Sequence, residues 1–191
     1  MATKVTVRKI VIGGALSALS IALVVTGFGF IPFFGLVSFT VMHIPAIIGA
    51  ILEGPMVGTI VGAIFGVSAL IKAATAPLNL YDPTFVNPLI SVLPRLFIGV
   101  VSWLVYRTFR GRNTTVAVVV AGIAGSLTNT VLVLGSMVIF GAIPFKLAVT
   151  ITLTNGLLEA AVAAVLTFGV VASWKGIESR SGKARLAKED K

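Results

Sequence analysis

The chain has 191 residues, of which 57% are hydrophobic and 11% charged, and its formal net charge is +9. Soluble domains carry about 25% charged residues, so a mean hydropathy of +1.08 with so little charge excludes a water-facing globule and a disordered chain. The absence of cysteine excludes a disulfide scaffold.

Six apolar stretches follow in chain order, at about 10–30, 36–52, 56–71, 86–106, 116–140 and 148–174, each read as a helix crossing the membrane. The first follows Lys4, Arg8 and Lys9 without a clear small-residue cleavage pattern, so it reads as a retained helix rather than a signal peptide. The second and third are separated by Glu53-Gly54-Pro55, a tight turn at a membrane face. The expected fold is therefore an all-α membrane protein of six transmembrane helices. One transmembrane domain covers 1–174 and a basic tail covers 175–191, with no internal repeat or linker.

Charge orients the bundle. With both termini cytoplasmic, the inner segments hold Lys4, Arg8, Lys9, Arg107, Arg110, Arg112, Lys175, Arg180, Lys183, Arg185, Lys188 and Lys191, leaving Lys72, Arg95 and Lys146 elsewhere. The opposite orientation would place those twelve outside, against the positive-inside rule. The positive charge is thus a topology signal, with the tail touching anionic lipid, and no nucleic-acid partner is expected.

Small residues mark helix packing. Gly54, Gly58, Gly62 and Gly66 recur every fourth residue in the third span, an arrangement suited to close contact within the chain. Gly14, Ala18 and Ala22 repeat the spacing in the first span, where an intermolecular contact is the more natural use.

Ionisable groups inside apolar spans normally face a cavity or a partner. His43, Arg95 and Glu159 lie at comparable depths from the expected outer ends, roughly 10–17 Å at the helical rise, and Asn129 lies at the same level. Asn155 precedes Glu159 by four residues, placing both on one helix face. Pro94 disturbs the fourth span just before Arg95 and frees carbonyls that need other donors. Arg95 supplies a planar fork for a carboxylate or phosphate, while Thr128, Asn129 and Asn155 suit hydroxyls and amides. Glu159 either accepts from hydroxyls or pairs with Arg95, and His43, ahead of Ile44-Pro45, either joins the pocket or bonds a neighbouring helix. The loop from Lys72 to Asn87, which holds Asn79, Tyr81 and Asp82, is placed to cap the cavity.

A single histidine, no cysteine, and no HExxH, G-x-S-x-G or GxxxxGK[ST] motif leave little support for an enzyme, a metal site or an intrinsic ATPase. No cofactor is expected. Capture of a solute from the outer side fits these residues better than intramembrane chemistry, and a ligand-free scaffold subunit is the competing reading.

The run from Thr40 through His43, Glu53 and Pro55, followed by Gly58, Gly62 and Phe65–Ile71, resembles the substrate-binding (S) component of energy-coupling factor transporters. Leu93–Gly99, Gly125–Leu134 and Asn155–Glu159 agree, and together they resemble the pantothenate branch over residues from about 8 to 174. The resemblance implies a six-helix subunit that binds a water-soluble vitamin on its outer side. It further implies assembly with a transmembrane T component and two cytoplasmic ATPases, and toppling in the membrane to deliver the vitamin. Ala18 and Ala22 match the family's A-x-x-x-A contact with the T component, with Gly14 on the same stripe. Under this resemblance Arg95 would take the pantothenate carboxylate, and Asn129, Asn155 and Glu159 its hydroxyls and amide; cobalamin remains an alternative ligand.

Overall fold

A computed structural model describes the backbone of residues 2–33, 37–77 and 81–189, and the side chains of 7–29, 40–77 and 81–176. Helix α1 (Ala2–Thr26) leads through Gly27 and Gly29 into an antiparallel hairpin, β1 (Phe30–Phe33) and β2 (Val37–Thr40), in which Phe30 faces Thr40. Then come α2 (Ile44–Glu53) and α3 (Pro55–Thr75). A 3-10 turn (Asp82–Val86) and the short α4 (Pro88–Ser91) precede α5 (Leu93–Phe109) and α6 (Thr114–Ile139). Helix α7 (Phe145–Ile151), a π-helical turn (Thr152–Gly156) and α8 (Leu157–Glu189) complete the chain.

Among the described residues, five helical segments are long and apolar enough to cross a membrane: Val7–Thr26, Pro55–Thr75, Pro88–Phe109, Thr114–Ile139 and Phe145–Gly176. The second expected span departs from this pattern. Its ten helical residues, Ile44–Glu53, rise about 15 Å, half of the ~30 Å hydrocarbon thickness. The first part of the apolar run, Val37–Thr40, is a strand of the hairpin instead. The helix starts at Ile44 with His43 as its N-cap, and Pro45 sits in the first turn, where a missing N–H is tolerated.

The distribution of side chains is that of a protein solvated by lipid. Ile60, Leu104 and Val165 point outward, whereas Ser20, His43, Ser91, Ser102, Ser126 and Thr167 are fully buried. An inner cluster of Ile47, Val61, Ile98, Ala121 and Ala163 joins α2, α3, α5, α6 and α8.

The glycine stripe serves contacts within the chain. A Cβ on Gly58 would run into Ala46 and Ala50 of α2, and one on Gly62 into the Arg95 carbonyl of α5. Gly99 of α5 lies in the same way against the Gly58–Thr59 backbone. At one end of the bundle, Gly54 turns the chain with φ +99° between α2 and α3, and Arg8 Nε meets Glu53 Oε1 at 2.6 Å. Near that end, Lys175 Nζ donates to the Tyr106 hydroxyl at 2.7 Å. The hairpin, the 3-10 turn and the α6–α7 connection gather at the opposite end.

Candidate functional site

The break before α5 builds the site. Pro94 has no N–H, and the Arg95 N–H turns back to the Val92 carbonyl at 3.0 Å, so the Ser91 carbonyl needs another donor. Arg95 supplies it from its own side chain: Nη1 donates to the Ser91 carbonyl and to Ser91 Oγ, the latter at 2.9 Å. Ser91 Oγ in turn donates to the Gly66 carbonyl at 2.9 Å, tying the break to α3. This approach requires a glycine, since a Cβ at residue 66 would lie 2.8 Å from Val92 Cα and 2.9 Å from the Ser91 carbonyl oxygen.

The guanidinium is held by aromatic rings as well. Its carbon lies 4.4 Å from the Phe65 ring centroid and 5.4 Å from that of Phe85, within the range of cation–π attraction. Its Nε is buried and has no hydrogen-bond partner among the described residues. A buried donor left in this state costs about 1–3 kcal/mol, so an acceptor that reached this edge would be bound with that gain.

Arg95 lines a cavity of about 570 Å³ of atom-free space, counted to its open mouth. Its polar wall is Thr40, Lys72, Asp82, Arg95 and Asn129, and its apolar wall is Val24, Met42, Phe65, Ala69, Ala73 and Phe85. An apolar lining with a few polar groups is the combination that characterises small-molecule sites. Asn129 Oδ1 is buried and, among the described residues, without a partner.

Of the residues anticipated from the sequence, Arg95 and Asn129 meet at this cavity. Glu159 stands behind it: Oε1 accepts from Thr40 N at 2.7 Å and from Thr40 Oγ1 at 2.9 Å, and Oε2 accepts from Thr130 Oγ1 at 3.2 Å. Glu159 thus accepts from donors of the protein itself, and among the described residues no ion pair joins it to Arg95. Asn155 is half-buried on the π-helical turn while Glu159 is buried; the widened turn changes the helical phase that four-residue spacing assumes.

Thr128 faces elsewhere. Its hydroxyl donates to the Ala124 carbonyl at 2.7 Å, and it borders a shallow apolar groove with Phe97 and Leu132. Asn87 caps α4 by accepting from Leu89 N at 3.0 Å. His43 is fully buried, does not line the cavity, and has both ring nitrogens unpartnered among the described residues. Asn79 lies outside the described residues. Gly14, Ala18 and Ala22 lie on the exposed face of α1, and a Cβ on Gly14 would meet nothing within 4 Å.

Lys72 and Asp82 are cavity residues that the polar layer of the spans did not include. Lys72 Nζ also donates to the Val24 carbonyl, which joins α3 to the end of α1. Their signal was present in outline: Lys72 is one of three cations off the basic side, and Asp82 lies in the loop expected to cap the cavity.

The family model for the substrate-specific component of ECF transporters matches residues 8–171. The chain is also 30% identical over 151 residues to the pantothenic acid transporter PanT of Lactococcus lactis subsp. cremoris (strain MG1363), an overlap of 69% of this chain and 75% of that protein. Five membrane-crossing helices, a half-length helix and an end-on polar cavity are the architecture on which the match lies. The chain belongs to the family of substrate-specific components of ECF transporters, which are transport subunits and not enzymes.

Proposed function

We propose that the solute is pantothenate, held in the Arg95 cavity from the outer side of the membrane. The observation that carries this reading is the Arg95 guanidinium: it lines the cavity, is clamped by Ser91, Phe65 and Phe85, and keeps a buried Nε without a described partner. A carboxylate is the acceptor that such a fork binds best, through two parallel charge-assisted bonds. Lys72 adds a second cation to the same wall, and Asn129 and Asp82 suit the amide and hydroxyls of pantothenate. Thr128, Asn155, Asn79, Asn87 and His43 have no part in this assignment.

The likeness to a pantothenic acid transporter supports the small vitamin over cobalamin.

The basic end of the bundle, with both termini, faces the cytoplasm in this reading, and the cavity opens outward. The subunit hands its vitamin to a T component and two ATPases, with the exposed Gly14–Ala18–Ala22 stripe of α1 as the T-component contact and reorientation in the membrane as the delivery step. Calorimetry on the purified subunit without ATP tests the assignment against pantothenate, cobalamin, riboflavin, thiamin and folate. Tight binding of pantothenate alone is expected. Preference for another vitamin would refute pantothenate, and binding of none would refute the cavity as a vitamin site.

A further inference from the structure

We infer that Glu159 is a positioning residue, which fastens the end of the β1–β2 hairpin to α6 and α8 and so fixes the cavity wall at Thr40 without itself being met by the solute. The inference rests on reading the cavity as the solute site. Thr40 is the last residue of β2 and lines the cavity, whereas Glu159 does not. Both donors of Thr40, its backbone N–H and its hydroxyl, go to Oε1 of Glu159, while Oε2 takes the Thr130 hydroxyl. Two of the roughly four lone-pair sites of the carboxylate are therefore committed to Thr40, and a third shares the single Thr130 hydroxyl hydrogen with the Ser126 carbonyl, which lies at the same 3.2 Å.

The grip falls at a mechanically sensitive place. The next residue, Val41, donates its N–H to the Gly29 carbonyl at 3.0 Å, closing the base of the hairpin before α2 begins. Met42, buried against Val24 and Phe65, continues the same wall. Releasing Glu159 would strip both donors of Thr40 of their acceptor and leave the half-buried end of the hairpin free to move. Two donors held by one carboxylate oxygen make a strong contact, so the clasp governs how readily this wall yields and hence how fast a bound solute escapes.

The test is hydrogen exchange and pantothenate dissociation on the purified full chain. Glu159→Leu is expected to raise exchange at the Thr40–Met42 amides by about tenfold or more, with α3 unchanged, and to raise the dissociation rate by a similar factor. Glu159→Gln keeps a carbonyl oxygen for Thr40 and offers its amide to the Thr130 hydroxyl, so both readouts should return to within about threefold of the parent. Thr40→Val, which leaves the carboxylate in place, should quicken dissociation alone but add little to Glu159→Leu, because the two act through one contact. Unchanged Thr40 exchange in Glu159→Leu would overturn the inference. So would additive effects of the two substitutions, or loss of binding in Glu159→Gln with Thr40→Val silent, which would make the carboxylate a solute contact. Exchange is read without ligand, so a parent protein that bound no pantothenate would refute the vitamin assignment and leave the clasp measurable.

Discussion

Replacing Arg95 with alanine removes a cation from the cavity wall, empties the space between Phe65 and Phe85, and deprives the Ser91 carbonyl of its donor. Only the first of these is felt differently by ligands of different charge, which makes a matched pair of ligands the informative assay. Pantothenate and its alcohol analogue pantothenol differ in the carboxylate alone. Hydrogen bonds to charged groups contribute about 1.5–3 kcal/mol and neutral ones about 0.5–1.5 kcal/mol. Two parallel bonds from the Arg95 fork would then favour the carboxylate by about 2–3 kcal/mol over the alcohol, or roughly 30- to 150-fold in Kd. Arg95→Ala should weaken pantothenate by roughly 30- to 150-fold more than it weakens pantothenol, measured by calorimetry on monodisperse protein. Arg95→Lys keeps the charge but loses the planar fork, and an intermediate loss is expected. Equal losses for both ligands would refute the reasoning and make Arg95 a buttress of the α4–α5 break.

Three further outcomes follow from the same contacts. Gly66→Ala forces a Cβ against Val92 Cα and the Ser91 carbonyl oxygen, at 2.8 and 2.9 Å; backbone crowding of this kind costs about 1–3 kcal/mol, and a lower melting temperature with weakened pantothenate binding is expected. Ala18→Leu and Ala22→Leu lie on the exposed face of α1, so vitamin binding by the isolated subunit should stay within about twofold while uptake by the assembled transporter fails; parallel loss of binding would refute the stripe as a partner surface. Asn113→Ala removes the acceptor for Thr115 N and Val116 N at the start of α6, which should lower stability by about 1 kcal/mol in a denaturation measurement and leave affinity unchanged.

The apolar runs and the turn at Glu53-Gly54-Pro55 were legible because lipid demands continuous hydrophobic helices and few residues tolerate a sharp reversal. Pro94 and Arg95 were legible for a similar reason: a missing N–H and a buried cation each create a demand that neighbouring structure must meet. The hairpin was not. Val37–Thr40 is apolar enough to extend the helical run that follows, and its strand form depends on pairing with Phe30–Phe33, which periodicity does not report. Helical phase was also beyond reach. Thr128 and Asn129 are adjacent, so they point about 100° apart on α6, and one faces the cavity while the other faces a groove. The contact between Thr40 and Glu159 joins residues 119 apart, a distance over which only the folded chain supplies the information.

The meeting of α3 with α5 has a mechanical consequence. Gly62, Gly66 and Gly99 bring the two backbones into direct contact, and between them the Thr59 hydroxyl donates to the Leu96 carbonyl at 3.3 Å. Sliding one helix along the other would drive the side chains flanking each glycine into main chain, so the pair resists shear. Phe65 and Lys72 on one helix and Arg95 on the other therefore travel as a single block, and the deformable boundary of the cavity is the hairpin edge. Under the proposed delivery by a change of tilt in the bilayer, the Arg95 wall would travel intact, and release would be a matter of loosening one edge rather than dismantling the floor.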